Sequence, residues 1–174
     1  MISERLRLPL FTGELLERYL AGDTAAAESA LGVRLPPWLI ENEWLMRVRV
    51  QQIREDPSSE PWLLRPIALA APDPVAIGMF NFHGPPDDLG FAEIGYGLEP
   101  EYRGQGYAIE AVRAMLDWAV AEYDVQRFRA AIAPDNVRST NLVTKLGMTR
   151  VGAQWDELDG LELLYAVRDW GARS

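Results

Sequence analysis

The chain has no cysteine and only one histidine, His83, in 174 residues. Without cysteine there is no disulfide framework, no thiolate metal site and no cysteine nucleophile. A single histidine leaves little material for a histidine-rich metal site or a histidine-dependent triad. Positive charge is also short, at a formal net charge of −9. Phosphate contacts need clustered Lys and Arg, so direct nucleic-acid binding is not expected. The acidity suits a cationic substrate, and it equally suits plain solubility. No apolar run approaches the roughly 18 residues of a membrane helix. Met1-Ile2-Ser3-Glu4-Arg5-Leu6 has no continuous apolar segment behind it, so a signal peptide is not expected either. A cytoplasmic protein is the default expectation, and a homodimer is left open.

The remaining composition is ordinary. Apolar residues make up 48% and charged residues 25%, which fits a single domain over residues 1–174 with a real core. Apolar spacing divides it into elements. Residues 6–11 read as a short strand. Thr12 reads as the cap of a helix carrying Leu15, Leu16, Tyr19 and Leu20, followed by a second helical piece over 25–31. Trp38, Ile40, Trp44, Leu45, Val48 and Ile53 predict one helix over 38–53, and 56–61 reads as a loop. Residues 62–70 and 75–82 read as a hairpin, 91–98 as a strand, and the region after Arg103 as a long amphipathic helix. A strand over 127–133, a helix from Asn136 to about Lys145 closed by Gly147, and two strands over 149–155 and 161–167 complete the chain. Trp38, Trp44, Trp62 and Trp155 are assigned to the core by default, and His83 to a surface loop.

One stretch organises the rest: Leu98-Glu99-Pro100-Glu101-Tyr102-Arg103-Gly104-Gln105-Gly106-Tyr107-Ala108. It joins a strand to the longest helix through a turn with two glycines. Glycine lets the backbone come close to a ligand, and the free N–H groups of a first helical turn form an anion site. The arrangement reads as a phosphate cradle, with a plain tight turn as the alternative. A P-loop would need a Lys after the glycines, and none follows. A dinucleotide fingerprint would need a small residue where Ile109 stands.

Arg103-x-x-Gly106-x-Ala108 resembles the Gln/Arg-x-x-Gly-x-Gly/Ala motif of the GCN5-related N-acetyltransferases (GNAT family). Asn136-x-x-Ser139 followed by Lys145-Leu146-Gly147-Met148 is similar to a later segment of that family. Arg5-Leu6-Arg7-Leu8 and Glu93-Ile94-Gly95-Tyr96 resemble its RimJ/RimL-like branch, which acetylates ribosomal-protein N-termini. The resemblance implies an α/β (α+β) domain built on a mixed, mostly antiparallel sheet of six to seven strands with about four flanking helices. It also implies a sheet split by a bulge in the strand before the cofactor loop, where Gly95 and Gly97 stand. Acetyl-coenzyme A is the implied cosubstrate, with no metal. Leu98, Arg103, Gly104, Gln105, Gly106, Tyr107, Ala108 and Asn136 are its implied contacts.

Acetyl transfer to an amine needs a held thioester, a neutral amine, donors for the developing oxyanion and help for the leaving thiolate. Backbone N–H groups near Leu98 are candidates for the donors. Glu93 is the candidate base. Strand period 2 puts it on one face with Gly95 and Gly97, opposite Ile94 and Tyr96. A solvated strand carboxylate is the plain alternative, and Glu157 in the last hairpin is a second candidate. An α-amine, with pKa about 7.7–8.0, needs only a weak base. Many family members use a tyrosine a turn beyond Ser139 as general acid. Here Leu142 and Val143 stand there, so Ser139 is assigned that role. Thr144 replaces a usual Glu, and the hairpin after Gly160 lacks the branch's usual Asp. The acceptor amine is a peptide N-terminus or a small polycation such as an aminoglycoside or polyamine. The polycation would need carboxylates such as Glu41, Glu43, Asp156, Glu157, Asp159 and Glu162 to converge.

Overall fold

The computed structural model describes residues 1–171 and, for residues 40–42, the backbone alone; the side chains of Ile40 and Glu41 and residues 172–174 lie outside the described residues. The longest apolar period becomes the longest helix, α4 (Tyr107–Tyr123), which buries Ala111, Val112, Met115, Leu116 and Ala119. That stripe lies on one face of the sheet, with Ile77, Phe80 and Phe82 of β3 (Ala76–Phe82), Ala92, Ile94 and Leu98 of β4 (Phe91–Leu98), and Phe128 of β5 (Arg127–Ile132). A second core forms on the other face from Phe11, Leu16 and Tyr19 around α1 (Gly13–Leu20), Ala27 of α2 (Thr24–Leu31) and Met46 and Val50 of α3 (Glu43–Glu55). Thr12 accepts the N–H of Leu15 and starts α1, as its residue type predicts.

Seven strands run in the order β1-β2-β3-β4-β5-β7-β6, with β1 at Leu6–Arg7, β2 at Arg65–Leu69, β6 at Thr149–Asp156 and β7 at Gly160–Val167. Every neighbouring pair is antiparallel except β4 and β5. That parallel pair is joined through α4, as a parallel connection requires. The last helix, α5 (Val137–Lys145), follows β5 and buries Val143 in the first core.

Several expectations need correction. Strand β1 stops at Arg7, before Pro9, which has no N–H to pair. Residues 38–53 are not one helix: Pro37–Asn42 is a 3₁₀ turn, and α3 begins only at Glu43. Three α-helices precede β2, which with α4 and α5 makes five against the about four implied. The expected loop at 56–61 is a 3₁₀ turn, Pro57–Trp62, which delays β2 to Arg65. Trp62 is buried as expected, but Trp44 is 61% and Trp155 77% exposed. Finally, β4 carries no bulge. Its register against β3 is even from Ile94 to Leu98, and the irregularities lie between β2 and β3, where Ala76 to Gly78 opposes Ala68 and Ile67, and between β6 and β7 at Arg150 to Gly152.

Candidate active site

The sheet splits without a bulge because β4 and β5 diverge. Their pairing runs through Phe91, Ala92 and Glu93 and ends there. Along the β3–β4 ladder, His83 N–H donates to the carbonyl of Glu93 and Glu99 N–H to the carbonyl of Ile77. Antiparallel alternation then turns the backbone groups of Glu93, Gly95 and Gly97 toward β3 and those of Tyr96 and Leu98 toward the gap. Two strand N–H groups thus face an opening with no strand across it. This is the position expected for oxyanion donors.

The gap continues into a cleft of about 780 Å³ lined by Tyr96, Gly97, Leu98 and Arg103 to one side and by Asn136 and Ser139 to the other. The glycine turn forms its floor. Gly104 has φ 77° and Gly106 φ 83°, both left-handed, which side chains rarely adopt. Gly106 is the N-cap of α4 and offers no capping side chain. None of the N–H groups from Gly104 to Ala108 meets a protein acceptor among the described residues. A seventeen-residue helix therefore points the uncapped positive end of its dipole into the cleft. Arg103 folds back, and its Nε donates to the carbonyl of Leu98 at 2.8 Å, tying the strand end to the loop. Glu110 fixes the loop from behind. It accepts from Ser3 Oγ at 2.8 Å, Arg5 N–H at 2.8 Å and Arg5 Nε at 2.7 Å, while Arg5 Nη1 donates to the carbonyl of Gln105 at 3.1 Å.

Helix α5 supplies the opposite wall. Asn136 caps it, accepting the N–H of Ser139 at 3.1 Å. Asn136, Ser139, Leu142 and Lys145 recur every third residue, and all line the cleft, along with Arg138 and Asn141. Arg138 and Lys145 bring positive charge to a wall where the sequence reading placed only Asn136 and Ser139. Their helical spacing was the available signal. A backbone anion site with two cations opposite suits a polyphosphate, and the gap beyond suits a narrow chain leading to a reacting group.

The sequence reading also missed Tyr96. Its side chain lines the cleft on the α4 face, and its hydroxyl is buried without a hydrogen bond in the described structure. Burial raises its pKa, and nearby Ser139 offsets part of that rise, although the two hydroxyls do not meet in hydrogen-bond geometry. A tyrosine hydroxyl is therefore present after all, delivered by β4 rather than by α5.

Glu93 lies on the opposite face, 16% exposed, with both oxygens engaged. His83 Nδ1 lies 3.2 Å from Oε1, and Arg129 Nε donates to Oε2 at 2.7 Å. The His83 contact first, and then Arg129, hold its carboxyl below the usual carboxylate range despite partial burial. Arg129 also binds Asp87 at 2.7 Å, and Asp87 is lowered chiefly by the N–H of Phe91. Glu110 is lowered too, because its Arg5 and Ser3 contacts outweigh the upward push of burial. A carboxylate whose folded pKa lies below its unfolded value adds stability that is fully present above the unfolded value and lost as pH falls through the folded one. The urea midpoint should accordingly be flat above about pH 5 and decline steadily below it. Arg129→Gln should flatten that decline. A midpoint independent of pH between about 5 and 3 would refute the network's contribution.

Among the described acceptor-side carboxylates, three are taken up by local partners. Glu43 pairs with Arg47, Asp156 accepts the N–H groups of Leu158 and Asp159, and Glu162 accepts from Gln154. Among the described residues no three His, Asp or Glu side chains gather closely enough to hold a metal ion. Glu157 is exposed in the β6–β7 turn.

Comparison with known proteins places this geometry. The family model "Acetyltransferase (GNAT) domain" matches residues 5–149. The chain belongs to the GNAT acetyltransferase family. The Bacillus subtilis (strain 168) "Uncharacterized N-acetyltransferase YjdG" is 35% identical over 71 residues, covering 41% of this chain and 42% of that protein. The match thus spans less than half the length of that curated relative. Among solved structures, RimL, a ribosomal-protein α-N-acetyltransferase in complex with coenzyme A, superposes with a TM-score of 0.65 at 17% identity, over 97% of both chains. The microcin self-immunity acetyltransferase MccE, in complex with acetyl-CoA and AMP, gives 0.65 at 16% identity, over 95% of this chain and 93% of that one. At such identity these two structures establish the GNAT fold. No helix among the described residues is long and apolar enough to cross a membrane.

Proposed function

We propose that this GNAT-family chain is an acetyl-coenzyme A-dependent N-acetyltransferase that moves the acetyl group to a primary amine by direct attack. One observation carries the reading: the unpaired N–H groups of the Gly104–Ala108 turn and the parted β4 and β5 strands open into a single cleft. Tight cradles that only begin a helix have no reason to adjoin a split sheet. RimL and MccE, solved with coenzyme A and acetyl-CoA, support the choice of cosubstrate. When bound, the thioester supplies the acetyl group. The chain's own residues then divide the work. Gly104, Gln105, Gly106, Tyr107 and Ala108 hold the pyrophosphate through backbone N–H groups, with Arg103 bracing the loop and Asn136 on the facing wall. The N–H groups of Tyr96 and Leu98 meet the thioester carbonyl. Glu93, with the His83 imidazole beside it, serves the proton leaving the amine, and Ser139 with Tyr96 serves the sulfur. With no cysteine in the chain, an acyl-cysteine relay is excluded.

The acceptor we assign is a protein or peptide N-terminus. The local pairing of Glu43, Asp156 and Glu162 favours it, because a small polycation would need several free carboxylates around one pocket. A thiol-release assay with short peptides, aminoglycosides and polyamines tests this directly. Turnover should appear with peptides carrying a free α-amine and vanish when that amine is blocked. Turnover confined to polyamines or aminoglycosides would overturn the acceptor. Tight acetyl-coenzyme A binding with no turnover on any amine would make the chain a coenzyme-binding module.

A further inference from the structure

Beside the split, β3 and β4 form a polar niche. Asn81 pairs with Gly95, and two residues along the ladder the His83 N–H donates to the carbonyl of Glu93 at 2.8 Å. Residues directly opposed on antiparallel strands share a face. Asn81, His83 and Glu93 therefore stand together around the bare backbone of Gly95. A Cβ on Gly95 would lie 2.9 Å from His83 Nε2 and 3.0 Å from Asn81 Nδ2. Glycine leaves room for both heads. The niche begins where the β4–β5 pairing ends, at the mouth of the gap.

The imidazole is oriented from its other nitrogen. Nδ1 faces Glu93 Oε1, and a carboxylate only accepts. That approach favours the neutral tautomer with its proton on Nδ1, which keeps the Nε2 lone pair free. Arg129 binds the second Glu93 oxygen, so the carboxylate is held from both sides. Asn81 Nδ2 is buried with no partner among the described residues, a donor left open beside that lone pair. Each Glu93 oxygen keeps a further lone pair but already holds a partner, whereas the one lone pair of Nε2 is unshared. The carboxylate has both oxygens committed and a depressed basicity.

We propose that His83 Nε2 accepts the proton of the attacking amine, directly or through one water held by Asn81, and that Glu93 is a positioning residue acting through it. The inference rests on the acetyltransferase reading. The amine nitrogen bonds to the acetyl carbon, the C–S bond breaks with its electron pair going to sulfur, and the surplus amine proton passes to Nε2. Sulfur gains a proton from the Tyr96 and Ser139 side. His83, 47% exposed, returns its proton to solvent. The charged groups around the ring are Glu93 on β4, Arg129 on β5, Asp87 in the β3–β4 loop and Arg49 on α3, which reaches the His83 carbonyl at 3.5 Å.

Because the chain has one histidine, nitrogen NMR reads this ring without ambiguity. The free protein should show the Nδ1–H tautomer, and Glu93→Ala should shift it toward a mixture. In steady-state assays His83→Ala and His83→Gln should each lower kcat about a hundredfold, the scale of general-base catalysis, with acetyl-coenzyme A affinity unchanged. Added imidazole should restore part of the rate in His83→Ala. Glu93→Gln still offers an acceptor to Nδ1 and should cost only about tenfold at saturating amine, with cofactor affinity retained. An Nε2–H tautomer, an unimpaired His83→Ala, or a Glu93→Gln more damaging than His83→Ala would overturn the inference while leaving the acetyltransferase reading intact. A wild-type protein that acetylates no amine would overturn that reading, and the role of His83 with it.

Discussion

Gly106→Val should weaken acetyl-coenzyme A binding by about tenfold to a hundredfold, read by calorimetry. The reason is local. Gly106 has φ 83°, and a Cβ there would sit 3.3 Å from Arg5 Nη2. A β-branched residue held in that region costs on the order of 1–3 kcal/mol, so the turn relaxes rather than keeping its shape. Relaxation rotates the N–H groups of Gly106, Tyr107 and Ala108 away from their common target. Each hydrogen bond to a charged group is worth about 1.5–3 kcal/mol, and 1.4 kcal/mol is a factor of ten. Losing one alignment is enough for the lower figure.

Gly104→Val should be milder. Gly104 has the same left-handed backbone at φ 77°, but nothing lies within 4 Å of its would-be Cβ. Gly104 also precedes the helix, so its N–H adds less to the dipole's end. A Gly106→Val protein that binds the cofactor with wild-type affinity would show that the cradle lies elsewhere, and equal losses at the two glycines would show that general strain, not the alignment of the first helical turn, is what was lost.

These two glycines were legible in the sequence because a chemical requirement, positive φ beside a helix start, restricts residue type strongly. Much of the fold was legible for a similar reason: β4 and α4 carry clean periods, and period 2 placed Glu93 and Tyr96 on opposite faces. The misreadings have physical causes. Gly95 and Gly97 suggested a bulge, but Gly95 is small because His83 and Asn81 lie over it. Trp44 and Val48 looked like helix core, yet they stand on the exposed side of α3. His83 does lie just past β3 on the surface, as expected, but its place opposite Glu93 depends on the ladder. Asp88 lies midway between His83 and Glu93, so symmetric pairing about the hairpin loop was the one available signal. The approach of Tyr96 to Ser139 had none, since β4 and α5 meet only through tertiary packing.

Tyr96→Phe should lower kcat about tenfold to a hundredfold while leaving acetyl-coenzyme A affinity near wild type, the range in which a positioned acid acts. The departing thiolate has a conjugate acid near 8.5, by analogy with cysteine, and an ordinary phenol titrates near 10. Burial moves Tyr96 further up, so it stays a neutral donor at working pH. A serine hydroxyl is a far poorer acid, which leaves Ser139 as a neighbour that offsets part of the rise in the phenol's pKa. Ser139→Ala should therefore cost less than Tyr96→Phe, and the double variant little more than Tyr96→Phe alone, because two groups acting as one unit do not add. The decisive measurement varies the leaving group. With an acetyl thioester of a more acidic thiol, sulfur needs less help, and the Tyr96→Phe penalty should shrink. A penalty of constant size across thioesters would assign Tyr96 to packing against the α4 face, and an additive double variant would return Ser139 to an independent role.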